Sequence, residues 1–357
     1  MQKAAIYTPY LDTVGGGEKY MLTIAEALTD EFKVDILLDK HLQSFDKQKL
    51  KDKIIKFHQI DLSKMNFVDA PLHTGQLLRK AIFLKEYAVL FYLSDGSIFH
   101  TTSKNSFLHF QMPLGDIQSG GLLNNFKLSS WKEAVYNSEF TRQNIKKLKI
   151  KGRVIYPPVD IDRFTETPKK KQIINVGRFM GEGIKKQHIL INAFIDLIKK
   201  HKLSGWSLHL AGSLDNSDEE YLNELKRLAK SQPIFFYPNL TYQQVSDLYQ
   251  QSSIYWHAMG FEERDLDRFE HFGISTVEAM AACCVPVVIN KGGQMEIVEH
   301  GKTGYLWNSL EELDNYTLKL INSQNVIDKM GKIAKNSVQR FSKNNFKKSI
   351  LNLVHEY

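Results

Sequence analysis

Short apolar runs alternate with stretches of helical apolar spacing along nearly the whole 357-residue chain. This alternation predicts βαβ units around parallel sheets. In the first half, AAIYTPY reads as a strand and TVGGG as a loop. EKYMLTIAEALTD follows as a helix, with Met21, Leu22, Ile24, Ala25 and Leu28 on one face. VDILL, AVLFYL and EAVYNS read as further buried strands, the last leading into a basic helix from Thr141. At VIYPPVDIDRFTETPKKK (154–171) the pattern breaks, and its prolines and lysines predict an exposed linker with a hinge near 157–170. The pattern then restarts with QIINVGR, SLHLAGS, IFFYPN, SIYWHA, VPVVIN and GYLW. The helical stretches HILINAFIDLIKK, EEYLNELKRLAK, TYQQVSDLYQQ and STVEAMAA are interleaved with these runs. The expected fold is therefore α/β, with two Rossmann-like domains at 1–165 and 166–340. A last helix, about 341–357, need not pack on the half it follows and is free to return to the first.

Composition narrows the class. Apolar residues make up 43% and charged residues 24%, a globular balance rather than a disordered one. MQKAAIYTPYLD has no apolar h-region, so no signal peptide is expected. The stretch Ala81 to Leu93 comes nearest to a membrane span, and Lys85 and Glu86 interrupt it. A cytoplasmic protein that does not span the membrane is the simplest expectation. The two cysteines, Cys283 and Cys284, are adjacent, a poor staple and too few for a zinc set, so reduced structural thiols are expected. The net charge of +7 gathers in the first half, notably in 46–57 and 142–153. Those runs read either as solvated helix faces or as attraction to an anionic membrane surface or a phosphorylated acceptor. No nucleic-acid motif accompanies them, so nucleic acid is not an expected partner.

Several residue groups carry candidate chemistry. Gly15, Gly16 and Gly17 stand between a predicted strand and helix, where backbone approaches a ligand closely and a helix start favours an anion. A dinucleotide fingerprint fails because Tyr20 occupies its third glycine position, and a Walker loop fails because the chain reads Gly-Glu-Lys. In NVGRFMGEGIKK, Gly177 and Arg178 follow a strand end and Lys185 precedes a helix, a pair of cations suited to a diphosphate. The same residues also fit an ordinary solvated turn. Glu270 and Glu278 flank Phe272-Gly273 with seven residues between them, one in a loop and one in a helix. From there both carboxylates can border one cleft and accept hydrogen bonds from sugar hydroxyls, although glutamates so placed are usually solvated. Gly292-Gly293 opens another short helix, a second candidate phosphate cradle.

Taken in order, GGGEKY, YNSEFTRQNI, VIYPPVDIDRF, VGRFMGEGIKKQHILINAF, LHLAGS, EHFGISTVEAMAACCVPVV and GGQMEIVEHGKTGYLW resemble the retaining nucleotide-sugar transferases of glycosyltransferase family 4. The resemblance covers almost the full length. It implies a GT-B fold, with the two domains facing across a cleft, the donor on the second and the acceptor mainly on the first. It implies that Arg178 and Lys185 bind the donor diphosphate, with Gly16, Gly17 and Gly177 close to the phosphates. Glu278 would hold the ribose and Glu270 the transferred sugar, with Phe272, Gly273, Gly292 and Gly293 completing the donor site. His109, in SFLHFQMP, matches a segment of related mannosyltransferases and would hydrogen-bond near the reacting sugar; a satisfied structural histidine is the other reading. The segment WHAMGF and the Glu block look closest to enzymes using GDP-mannose, with UDP-sugars still open. Expected partners are thus a nucleotide-diphosphate sugar and a glycan or lipid-linked acceptor, with no cofactor and no metal. Asp160/Asp162 and Asp265/Asp267 form Asp-x-Asp pairs, but the matched family uses cations and helix ends instead. The chain departs from the family at Cys283, where glycine is usual, and in the charged loop GFEERDLDRF (260–269), which shapes specificity or is simply solvated. A binding protein without catalysis is the alternative, since it would keep every donor contact.

Overall fold

The computed structural model describes residues 1–13, 15–72, 75–114, 122–145 and 148–357. Val14 of the glycine loop and residues 146–147 of the second basic run therefore lie outside the described residues. The chain forms two compact units, one of residues 1–158 with 343–357 and the other of residues 159–342.

In the first unit, β1 (Lys3–Tyr7), β2 (Lys33–Leu38), β3 (Met65–Asp69), β4 (Tyr87–Leu93), β5 (Asn105–Phe110), β6 (Glu133–Tyr136) and β7 (Gly152–Val154) form one parallel sheet. Its order is β3-β2-β1-β4-β5-β6-β7. One face buries Tyr20, Met21 and Ile24 of the helix Gly16–Leu28 against Phe346, Ile350 and Leu353 of the helix Lys343–His355. The other face buries Leu90, Tyr92, Leu108 and Trp131. Each fully buried Leu or Ile contributes roughly 1.5–3 kcal/mol. The glycine loop ends two residues earlier than the sequence suggests: Gly15 caps the helix, and Gly16 and Gly17 open its first turn.

Strands β3, β5 and β7 were not legible as strands. β5 reads NSFLHF, and its polar residues hide its burial. Every position is buried, with Ser106 bonded to Thr101 at 3.2 Å and His109 to the Val135 carbonyl at 3.0 Å. The basic run 46–57 is a surface helix, Lys47–His58, capped by Asp46, with Leu50 and Ile54 turned inward. The edge strand β7 is held by charge. Glu133, with no exposed side-chain area, takes two hydrogen bonds of 2.8 Å from Arg153. Arg153 also donates to Glu356 at 2.8 Å, and the Tyr357 hydroxyl donates to Glu133 at 3.2 Å.

In the second unit, β8 (Lys170–Val176), β9 (Ser207–Gly212), β10 (Ile234–Pro238), β11 (Ser252–His257), β12 (Val285–Ile289) and β13 (Tyr305–Trp307) form another parallel sheet. Its order is β10-β9-β8-β11-β12-β13. Ile173, Phe194, Leu208, Trp256, Val287 and Trp307 lie in its core. Two α/β parallel sheets are thus what the alternation predicted. In each sheet the strand order reverses beside the first strand, between β1 and β4 and between β8 and β11. Open α/β sheets bind ligands outside the carboxyl ends of the strands at such a reversal.

The departure at Cys283 has a backbone reason. Cys283 follows the helix Ile274–Ala281 with φ +63°, the left-handed turn that glycine usually supplies. Its N–H bonds to the Met280 carbonyl and that of Cys284 to Ala279, both at 2.9 Å, closing the helix end. Cys283→Gly relieves a strained side-chain position at some cost in chain entropy. It should raise the stability of the second unit by up to about 1 kcal/mol, read as a higher unfolding midpoint; a lower one counts against the strain. Among the described residues no helix is long and apolar enough to cross a membrane.

Candidate functional site

The reversal between β8 and β11 gathers most of the candidate residues of the second unit. Beyond β8, the Gly177 N–H bonds to the Ala211 carbonyl at 2.9 Å. Gly212 at the end of β9 must lack a side chain, because a Cβ there would collide with the Gly177 carbonyl. The buried Gln187 side chain donates to the carbonyls of Gly177 and Arg178, at 3.2 and 3.0 Å, and so fixes the turn that carries both residues. The Lys185 stem lies on Gly177, where a methyl group would approach its Cγ to 3.3 Å.

Lys185 reaches across the reversal to the loop that follows β11. Its Nζ donates to Glu270 Oε2 at 2.8 Å, and His257, the last residue of β11, donates from Nε2 to the same oxygen at 3.2 Å. Glu270 Oε1 has no partner among the described residues, so one oxygen is clamped and the other is open to a hydroxyl. Burial would raise the Glu270 pKa, but the Lys185 charge and the His257 hydrogen bond outweigh it and hold the carboxyl well below its usual range. Burial lowers the His257 pKa, and Glu270 offsets this only in part, so the ring stays neutral with its proton on Nε2. Its Nδ1 is buried without a partner among the described residues. Arg178 is exposed, and its guanidinium has no hydrogen bond or ion pair among the described residues. Lys185 and Glu270 cancel, which leaves the Arg178 charge uncompensated at the end of β8. The cluster can therefore hold an anion at Arg178 and orient a hydroxyl at Glu270.

Glu278, on the helix Ile274–Ala281, is buried and accepts from the Tyr242 hydroxyl at 3.2 Å. The Arg163 guanidinium lies 3.5 Å above the Tyr242 ring. Burial, and behind it the charges of both Glu270 and Glu278, raise the Tyr255 pKa well above its ordinary value, so the two carboxylates act on one buried ring.

The glycine pair Gly292-Gly293 serves packing first. The Gly293 N–H bonds to the Glu270 carbonyl at 2.8 Å, and a Cβ on either glycine would strike the Glu270–Phe272 backbone. The pair thereby positions Glu270, and the helix behind it is only Gln294–Ile297. Gly273 adopts φ +121° at the start of the Glu278 helix, where a side chain would meet Gln294. The Phe272 side chain is buried edge-on against Phe341. The charged loop 260–269 is pinned rather than merely solvated. Glu263 pairs with Lys186 at 2.6 Å, and Lys291 donates to the carbonyls of Gly260 and Glu263. Asp265 is engaged within that loop, accepting from the Asp267 N–H, while Asp160 and Asp162 are exposed on either side of the buried Ile161.

The remaining candidates belong to the first unit. Gly16 is exposed at the first turn of its helix, and Gly17 faces Leu93 and Gln111, both near the β1–β4 reversal. The Glu18 carboxylate folds back to accept from the Gly15 N–H at 2.8 Å. His109 was expected either to hydrogen-bond near the reacting sugar or to be a satisfied structural histidine. Its ring is fully buried and stacked on Tyr20 at 3.8 Å, with Nδ1–H on the Val135 carbonyl and Nε2 against Gln111. Burial pushes its pKa down to about 3. Both ring nitrogens thus have a neighbour within the fold. The sequence reading also missed His257, Gln187 and Tyr242. The position of His257 as the last residue of a strand at a sheet reversal is the signal that could have found it.

The model of the family described as glycosyl transferases group 1 matches residues 159–337. Human GDP-Man:Man(3)GlcNAc(2)-PP-Dol alpha-1,2-mannosyltransferase is 30% identical over 244 residues, covering 62% of this chain and 47% of that protein. The Dictyostelium discoideum protein of the same name is 26% identical over 219 residues, covering 56% and 41%. The chain thus spans under half the length of these relatives. Among solved structures, Anabaena HepE in complex with UDP and glucose superposes with a TM-score of 0.71 over 100% of both chains. At 18% identity this is a likeness of fold, and that fold is GT-B.

Proposed function

Since the chain belongs to the glycosyl transferases group 1, we propose that it moves a hexose from a nucleotide-diphosphate sugar to a glycan or lipid-linked acceptor. Mannose from GDP-mannose is the first choice, in keeping with the mannosyltransferase relatives, and glucose is the second. One observation carries the reading. At the β8–β11 reversal Arg178, whose guanidinium has no partner among the described residues, follows Gly177, on which the stem of Lys185 lies, and Lys185 in turn holds the ionised Glu270 by one oxygen. That pairing suits a ligand with a diphosphate at one end and sugar hydroxyls at the other.

In this reading Arg178 and Lys185 take up the charge that grows on the diphosphate as the bond from its oxygen to the sugar C1 breaks. The electron pair leaves on that oxygen, the acceptor oxygen bonds to C1, and the acceptor proton is released. Glu270 Oε1 accepts from a hydroxyl of the transferred sugar and fixes its orientation. Glu278, steadied by Tyr242, accepts from the ribose. The configuration at C1 is retained, as in family 4, and no metal takes part. We place the enzyme in the cytoplasm, with peripheral access to membrane-bound acceptors.

The test is nucleotide release from GDP-mannose, UDP-glucose and related donors, with and without a glycan acceptor. Acceptor-stimulated release that survives EDTA is the expected result. Tight binding without turnover would turn the chain into a sensor, and rescue of an EDTA-inactivated enzyme by magnesium would remove the metal-free clause. Glu278→Ala is expected to weaken nucleoside diphosphate binding about tenfold to a hundredfold, the loss of a charge-assisted hydrogen bond. Calorimetry that finds equal affinity takes Glu278 off the ribose.

A further inference from the structure

Two short helices of the first unit point their largest apolar side chains outward. On Leu77–Lys85, the residues Leu77, Leu78 and Ile82 are 80%, 75% and 61% exposed. On Leu122–Leu128, the residues Leu122, Leu123 and Phe126 are 91%, 68% and 59% exposed. A surface helix ordinarily turns such residues to the core, yet here only Leu84 and Leu128 are buried.

The helices are neighbours through residues 99–102. Phe99 lies 3.8 Å from the Lys80 amine, the Thr102 hydroxyl donates to the Ala81 carbonyl at 2.5 Å, and His100 stacks on Phe126 at 4.6 Å. The charge of Lys127 also contributes, after burial, to the lowered pKa of Lys80, as expected of adjacent cations. The six exposed apolar side chains therefore form one patch. Its charges have a single sign. The two helices carry Arg79, Lys80, Lys85 and Lys127 and contain neither Asp nor Glu.

We propose that this patch seats the chain on the surface of an anionic lipid bilayer, its leucines and Phe126 in the headgroup region and its cations on the lipid phosphates. Charge selects the occupant. A second copy of the same face would bring the exposed cations of one onto those of the other, whereas anionic headgroups neutralise them. An apolar patch of this kind marks an interaction site. The inference suits a lipid-linked acceptor but does not rest on the donor site.

Cosedimentation of the full chain with phosphatidylcholine vesicles, with and without phosphatidylglycerol, tests it. Binding is expected only with the anionic lipid and is weakened by salt. Leu78→Asp with Leu123→Asp, and separately Arg79→Glu, should each reduce it about tenfold or more. Circular dichroism confirms folding, which these exposed positions leave intact. The proposal is overturned if the wild-type chain ignores anionic vesicles or if the variants bind as it does. It is equally overturned if light scattering shows a dimer that Leu78→Asp with Leu123→Asp dissolves. Turnover with a soluble acceptor is unchanged in all three substitutions. A chain that binds vesicles but never turns over would sink the transferase reading alone.

Discussion

Arg178→Ala is expected to lower kcat about 10²–10³-fold, the loss that follows removal of one donor from a developing oxyanion, while the unfolding midpoint stays where it is. The guanidinium is exposed and has no partner among the described residues, so its removal strands nothing. Lys185→Ala should cause a similar fall in turnover with an added structural effect. Its Nζ is one of two donors to Glu270 Oε2, and without it only His257 opposes the effect of burial on the carboxylate. The Glu270 pKa then moves upward, and the second unit loses about 1–3 kcal/mol. Steady-state kinetics and thermal unfolding of the two variants separate these effects. Near wild-type turnover in both would remove the leaving-group assignment.

The second large effect concerns stability. Arg153→Leu removes both short hydrogen bonds to Glu133, whose side chain has no exposed area, and leaves a buried carboxylate with little more than the Tyr357 hydroxyl and a lysine at 3.5 Å. Breaking a buried ion pair from one side costs about 3–5 kcal/mol. The first unit should therefore unfold at markedly lower denaturant, with the second unit unchanged. Replacing both partners, Arg153→Leu with Glu133→Leu, should recover most of the loss, because the uncompensated charge is gone. Equal destabilisation in the single and double variants would assign the effect to lost packing instead.

The fold was legible where burial and apolar composition coincide. β1, β2, β4 and the six strands of the second unit each carry a short apolar stretch, such as AAIY in β1 and VPVVI in β12. β5 escaped because its Asn, Ser and His are buried and paired, a tertiary arrangement that no local pattern announces. The site was legible as a list of residue types but not as a network. Spacing could mark Lys185 and Glu270, but only the sheet order brings them across the β8–β11 reversal, and nothing local joins His257 to them. The glycines had a second use that spacing does not show. Gly292 and Gly293 looked like ligand contacts because glycine permits close approach, and what approaches them closely is the backbone of Glu270–Phe272. The burial of His109 was hidden for the same reason as that of β5, a polar residue bonded in the interior.

The chain leaves the first unit at residue 158 and returns to it at 343. On the ribosome, the half that emerges first is therefore the half that must wait. Tyr20 is packed edge-on against Phe346, and β7 is closed by Glu356, residues that exist only after the whole second unit has been translated. The second unit needs no such late arrival. Vectorial synthesis should then complete the two units in the reverse of their order along the messenger, with the nascent first sheet exposing one apolar face until its last helix arrives.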